Sequence, residues 1–398
     1  MKKISNKGQN FDTIFSMRRI YPYLILTLIV LISSLVLWLP FVLKTTNLFG
    51  LKINEPSMLT VYKQYDGPLY VVPAKTFYKP QAIEKLHLEM TVPNKYFAAH
   101  LPLYPILIRG LKELLNYGLR INELSYLKSM VGVNLLATIG LACLFYFILK
   151  KFKLTKNPLV LASVLLFLPR FLVVRSVGAP ESLFMFLILA SLYFFETEKY
   201  WLAGLLGGLA TMTKSPGILL FAGYLLVFVE RLIKEKKNNW QWLGVLLIPL
   251  GLLAVFGIYG IQYKDFFAYF HSGDNIHLVF PFAVFNFQKL WVGTAWLEDV
   301  IFYFFMYGLT VINLKNSRYR SFFYFGLVFF VATLFVQHRD INRYSLVLWP
   351  LALISYEKFF TSKKFLTIFV IVLFAIYLYG WNFLNYNVMP IADWRPFL

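Results

Sequence analysis

The sequence predicts an all-α, polytopic membrane protein, and three observations carry that expectation. Only 15% of the 398 residues are charged, against roughly 25% in a soluble globule. Several apolar runs reach the ~20 residues needed to cross ~30 Å of hydrocarbon, and mean hydropathy is +0.63. The basic residues gather at the ends of those runs instead of along one face. A net charge of +20 therefore reads as anchoring against anionic lipid, not as a nucleic-acid surface. The single cysteine, Cys143, falls mid-helix, which leaves no basis for a disulfide framework, a cysteine zinc site or a thiol mechanism.

The N-terminal stretch carries Lys2, Lys3, Lys7, Arg18 and Arg19 ahead of a long apolar run. Ser33-Ser34 lies inside that run and Leu35 to Leu43 continue beyond it, so it is too long for a cleaved signal segment. A retained helix over 21–43 with a cytoplasmic N-terminus is expected. Residues 45–124 then form a polar interval with no clean span. Within it, 101–115 is amphipathic, with Arg109, Lys112 and Glu113 on its polar side, as in a helix lying in the interface.

Further spans are expected at 125–149, 157–173, 180–196, 200–213, 216–233, 240–261, 293–314, 320–337, 343–360 and 365–385. Alternation from a cytoplasmic start puts the basic clusters at 150–153, 234–237, 315–318 and 363–364 inside. About eleven spans satisfy that short-loop rule and leave the tail, 386–398, outside. The whole chain, 1–398, reads as one transmembrane domain: a first outer loop at 45–124, a bundle over 125–385, then the tail. The segments at 157–173 and 200–213 are short for a crossing, which is tolerated inside protein or beside a cavity. Gly204, Gly207 and Gly208 have the small-residue spacing of close helix packing.

This topology collects the out-of-place polar groups on the outer side. Asp66, in Tyr65-Asp66-Gly67-Pro68-Leu69-Tyr70, is a carboxylate among aromatic and apolar neighbours. Such surroundings raise a carboxyl pKa and suit it to take a proton from a hydroxyl; an Asp before Gly-Pro is also a turn former. Glu181, after Pro180, is either a site acid or an ordinary helix start. Lys214, between two apolar stretches, and Arg175, at an outer helix end, are either functional cations at membrane depth or snorkelling side chains. The patch at 337–344 sets Arg339 and Arg343 in a short outer loop against the positive-inside bias. Guanidinium groups there suit phosphate, the alternative being an internal Arg339–Asp340 pair. His271, Asp274 and His277 have metal-like spacing, but in a loop that spacing fixes no common face and no further ligand is evident, so they read as solvated or substrate-contacting groups.

Several of these segments together resemble a family. Tyr65-Asp66-Gly67-Pro68-Leu69-Tyr70 with Ala74 and Tyr78 resembles the Trp-Asp-x-x-x-Tyr-x-x-x-Ala-x-x-x-Tyr pattern of the PIG-V-like mannosyltransferases, multi-spanning enzymes of the GT-C class. Pro102-Leu103-Tyr104-Pro105 is similar to their Phe-Pro-Leu-Tyr-Pro block. Glu181-Ser182-Leu183-Phe184 and Lys214-Ser215-Pro216-Gly217 resemble their Ser-Glu-Ser-Leu-Phe and Thr-Arg-x-x-Gly elements. Arg343-Tyr344, before Pro350, resembles their late Arg-Tyr motif. The matches run over about 65–350 in the family's order. Tyr65 stands where the family has Trp, His100-Leu101 where it has an aromatic pair, and Lys214 where it has Arg.

The resemblance implies a GT-C fold and a polyprenyl-phosphate-linked sugar donor. Asp66 matches the family's catalytic aspartate, Lys214 and Arg343 match basic positions suited to the donor phosphate, and Glu181 matches its acid at a helix start. Topology adds Arg175 and Arg339 to the phosphate ligands. Tyr65, Tyr70, His100, Tyr104, Glu181, His338 and Tyr344 are expected to contact substrate. The implied activity is inverting transfer of one hexose, mannose by resemblance, to a hydroxyl of a lipid or glycan acceptor outside the membrane. No cofactor is assigned; a divalent cation is left open, with no metal site assigned. Low cysteine and short loops favour the plasma membrane of a prokaryote. Two other activities fit the same residues: a lipid-linked sugar transporter, or an oligosaccharide polymerase or ligase. No Walker-type nucleotide loop is present.

Overall fold

Helix α1 (Lys7–Val42) begins the chain, and its segment Ile20–Val42 has the length and mean hydropathy, 2.6, of a membrane crossing. The computed structural model describes residues 7–88, 92–118, 125–236, 238–276, 278–286, 288 and 297–386. The polar interval after α1 folds into small pieces. A two-stranded antiparallel hairpin, β1 (Asn47–Leu48) and β2 (Leu51–Lys52), is followed by α2 (Met58–Tyr62), α3 (Gly67–Thr76) and α4 (Pro80–Glu84). A 3-10 turn, Asn94–Ala99, leads into α5 (Leu103–Glu113). Helix α5 has the amphipathic form expected of 101–115: Tyr104, Pro105 and Ile108 are buried, while Arg109 pairs with Glu113 at 2.7 Å on the outer face.

Helix α6 (Tyr126–Lys151) starts at Ser125, whose hydroxyl accepts from the Lys128 amide, and ends on Lys150 and Lys151; cap and terminal charge each complement the helix ends. The span expected at 157–173 is divided into α7 (Pro158–Leu165) and α8 (Pro169–Val174). Pro169 has no amide hydrogen and pushes Leu168 out of the helical region, to ψ 126°. Helices α9 (Glu181–Glu196) and α10 (Tyr200–Thr213) follow, then α11 (Leu219–Glu235) and α12 (Leu247–Tyr263). The second half contains α13 (Leu297–Leu314) and α14 (Arg320–Leu334).

The single span expected at 343–360 is replaced by shorter pieces: α15 (Ile341–Tyr344), a 3-10 turn at Ser345–Leu348, α16 (Trp349–Ser355) and α17 (Glu357–Phe360). Pro350, in the first turn of α16, cannot carry the helical bonding of the preceding turn through. Helix α18 (Lys363–Tyr386) ends the described chain, and the expected tail lies outside the described residues.

Among the described residues, six helices are long and apolar enough to cross a membrane: Ile20–Val42, Tyr126–Lys151, Ser215–Glu235, Trp240–Tyr263, Leu297–Leu314 and Lys363–Tyr386. The chain is a membrane-embedded, multi-pass helical protein. Helix α9 is shorter and buried along nearly its whole length, so it packs inside the protein. It lies between α6 and α10, and α10 packs in turn on α12. The α10–α12 contact depends on glycine. A Cβ on Gly208 would sit 2.6 Å from the Leu247 carbonyl oxygen, and one on Gly251 would meet Gly208 at 2.5 Å. Backbones this close gain dispersion contacts that larger side chains would forbid.

Candidate functional site

Four segments far apart in the chain bring one charged side chain each to a single cluster. Asp66 immediately precedes α3, where Pro68 sits in the first turn and the Asp66 side chain makes no capping bond. Tyr65 before it is in the left-handed region, φ 49°. A non-glycine residue there is uncommon and is a form of strain found at functional sites. Gly67 allows the turn to touch residue 178: a Cβ on it would collide with the Gly178 carbonyl oxygen. That contact seats Asp66 close to the start of α9.

Glu181 is the first residue of α9, where the helix dipole favours an anion. Its side chain is only 3% exposed, and one oxygen, Oε1, accepts hydrogen bonds from Lys214 Nζ and Arg343 Nε, both at 2.7 Å. Arg343 uses its other side to donate from Nη1 to Asp66 Oδ2 at 2.9 Å. Lys214 is an extended residue between α10 and the 3-10 turn Ser215–Ile218. Gly217 makes that turn possible, because a Cβ there would meet the Thr211 amide at 2.5 Å. Both readings of Glu181 thus hold at once: it starts a helix and it joins the cluster. Lys214 is an ion-paired cation, not a snorkelling one.

Aromatic rings line the cations. The Arg343 guanidinium lies 4.3 Å from the Tyr65 ring centre, and Lys214 Nζ lies 4.7 Å from that of Tyr344; cation–π attraction is strongest in such desolvated places. The His338 ring packs edge-on against Tyr344 at 4.9 Å. Tyr70 stands beside Asp66 with its ring edge-on to His100, 4.8 Å, and to Tyr104, 5.3 Å. His100 is buried and its Nδ1 has no hydrogen-bond partner. Burial pushes its imidazole down to about 4, so it is neutral at neutral pH. Tyr104 donates its hydroxyl to the Met130 carbonyl and supports Tyr70 from behind.

The charges correct one expectation about Asp66. Burial by itself raises its carboxyl, as the aromatic neighbourhood suggested. The Arg343 charge, together with the Arg343 hydrogen bond and the Lys214 charge, outweighs it and holds the group below the usual aspartate value. Two acids and two bases make the cluster neutral overall. Asp66 retains the most access, with 37% of its side chain exposed against 2% for Arg343.

Arg175 is not part of this site. It is fully buried near α1, donating to the Ser33 and Ser34 hydroxyls and the Leu166 carbonyl; those acceptors make it a packing residue, which corrects its expected phosphate role. Arg339 is exposed, and among the described residues it forms no ion pair with Asp340. Two members of the metal-like trio bond to other groups. His271 pairs with Asp265 at 2.9 Å, Asp274 bonds to the Tyr96 hydroxyl, and His277 lies outside the described residues. Desolvation, then the nearby charge of Asp66, pushes Asp274 up to about 6. Among the described residues no group of three metal-type ligands converges.

One contributor has no counterpart in the expected site. Arg170, in the first turn of α8, donates to the Tyr65 hydroxyl at 3.1 Å and stacks on Phe383 at 4.7 Å. Its signal was present in the sequence: it is a lone cation inside the expected span at 157–173. Comparison with known proteins adds no relative: no family model matches the chain, and no curated protein matches it.

Proposed function

We propose that this protein is an integral-membrane glycosyltransferase of the GT-C, PIG-V-like kind, with about eleven spans and its active site on the extracytoplasmic side. It moves one hexose, mannose by resemblance, from a polyprenyl-phosphate donor to a hydroxyl acceptor, with inversion. What supports this reading is the convergence of Asp66, Glu181, Lys214 and Arg343, with Asp66 and Arg343 joined across 277 positions of sequence. The acceptor oxygen attacks the anomeric carbon opposite the phosphate. The bond from that carbon to the phosphate oxygen breaks, its electron pair leaves with the phosphate, and the hydroxyl proton passes to Asp66.

A carboxylate held below its ordinary pKa is ionised at neutral pH, the form a base requires. Arg343 and Lys214 supply fixed positive charge near the departing phosphate, and fixed dipoles and charges need no reorganisation as the reaction proceeds. Glu181 holds both cations in place.

The test is incubation of purified protein with a panel of polyprenyl-phosphate sugars and hydroxyl acceptors. Consumption of one donor with a single new glycosidic bond is expected. Asp66→Asn lowers that turnover by about 10²–10⁴-fold with folded protein retained; near-normal turnover removes Asp66 from the base role. Intact donor crossing a vesicle membrane without a new bond would make the protein a transporter, and a ladder of products would make it a polymerase.

A further inference from the structure

The connector after α12 does not leave that helix directly for water. Lys264 is in the left-handed region, φ 56°, and reverses the chain. Phe266 then comes back against the helix it follows: a Cβ on Gly260 would lie 3.7 Å from the Phe266 ring. The rings of Phe266, Phe267 and Phe270 gather on Phe256, their centres 5.4, 5.9 and 5.7 Å from its own. Phe256 precedes the helix end at Tyr263 by two turns, about 10 Å along the axis, and its Cβ tilts farther from that end. The three rings therefore lie alongside α12, not beyond it.

Phe256 is buried beneath them, yet the three covering rings are themselves 43 to 53% exposed. Three adjoining phenylalanines left bare in this way mark a surface that something apolar covers. They continue the exposed apolar side of α12, where Leu250, Leu253 and Ile261 recur at helical spacing. The crossing segment Trp240–Tyr263 has 24 residues, about 36 Å at 1.5 Å per residue against ~30 Å of hydrocarbon. A position about 10 Å inside one end thus still falls within the apolar layer. Lys264, exposed at the reversal, has a stem long enough to keep its charge among headgroups.

The other face of the same segment is held by protein. Ala268, Tyr269 and Ser272 are buried. The Tyr269 and Ser215 hydroxyls share a 2.7 Å hydrogen bond, next to Lys214. Asp265 accepts from Lys95 at 2.8 Å and pairs with His271 at 2.9 Å. We infer that 265–270 is a membrane wedge: its three phenylalanine rings insert among lipid acyl chains beside α12, while its opposite face ties the connector to the segment bearing Lys214. The partner is bilayer lipid, because the rings are continuous with a membrane-crossing helix and share its depth. This assignment does not depend on the transferase reading, nor that reading on it.

The experiment uses the full chain, with Cys143→Ala removing the single native thiol, in vesicles of phosphatidylcholine and phosphatidylglycerol. A nitroxide label is attached at Phe267→Cys. Leu253→Cys, exposed on α12, is the lipid reference, and Lys156→Cys, exposed between α6 and α7, is the water reference. Electron paramagnetic resonance reads relaxation of each label by oxygen, which partitions into lipid, and by a water-soluble nickel complex. The label at 267 is expected to match the one at 253, relaxed by oxygen and protected from nickel. Gly260→Leu puts a side chain where Phe266 packs and restores nickel access at 267; Gly257→Leu, facing open space, does not. Nickel access at 267 equal to that at 156, or no response to Gly260→Leu, would overturn the wedge. Dipolar broadening between labels on two copies would also overturn it, since the rings would then meet a second chain instead of lipid.

Discussion

Replacing Glu181 with glutamine tests the charged cluster with almost no change of shape. One carboxylate oxygen accepts 2.7 Å bonds from two cations, and the exposures of Glu181, Lys214 and Arg343 are 3, 12 and 2%. Solvent screens such a site little. With four charges present the cluster is neutral; Glu181→Gln leaves it at plus one, with two cations sharing Asp66. Removing one partner of a buried pair costs about 3–5 kcal/mol, mostly because the remaining charge is stranded. Lys214→Met in the same background returns the cluster to neutrality, so the double variant loses less than the sum of the singles. Contacting charges couple by about 0.5–3 kcal/mol in such cycles. The assay is a double-mutant cycle of unfolding in detergent, by denaturant or heat. A Glu181→Gln change within about 0.5 kcal/mol, the range of an ordinary surface substitution, would refute the picture of Glu181 as the anchor of both cations. Additivity of the two substitutions would do so as well.

Two further outcomes are expected. Gly67→Ala drives a methyl into the Gly178 carbonyl and toward Met130 Sδ at 3.1 Å; backbone cannot yield as a side chain can, so stability falls by about 1–3 kcal/mol and turnover falls with it. An unchanged melting temperature and rate would mean that this contact does not seat Asp66. The pH profile discriminates between two acids. Because Arg343 stabilises ionised Asp66, the ion pair's contribution to stability is present above the unfolded aspartate value of about 3.9 and is lost as pH falls through the lower folded value. Turnover based on Asp66 is therefore flat from neutrality down to about pH 4, whereas a break at about 6 would identify Asp274 as the titrating base.

Much of the helical layout was legible from composition and run length, because in hydrocarbon the backbone has to bond within its own segment. The expected spans at 125–149, 240–261 and 365–385 correspond to α6, to Trp240–Tyr263 and to α18. The breaks at 166–168 and 345–348 were not foreseen, although Pro169 and Pro350 stand beside them. Hydropathy averages over a window, while a proline acts on one hydrogen bond and one neighbouring torsion. Tyr65, Asp66, Glu181, Lys214, Arg343 and Tyr344 could be singled out by residue type and order, yet Arg175 looked as suitable as Arg343. What separates them is which acceptors each guanidinium reaches: two carboxylates for Arg343, serines and a carbonyl for Arg175.

Sequence alone determined that this chain is a basic, helix-rich membrane protein and that a few charges sit where lipid or packed protein makes charge expensive. Only the tertiary structure decided which of those charges meet. It also reversed the sign of the Asp66 shift and set Arg170 on the Tyr65 hydroxyl. The physical reason is that desolvation is visible in local composition, whereas Coulomb energy depends on distance, and distance between residues 66 and 343 exists only once the bundle has formed.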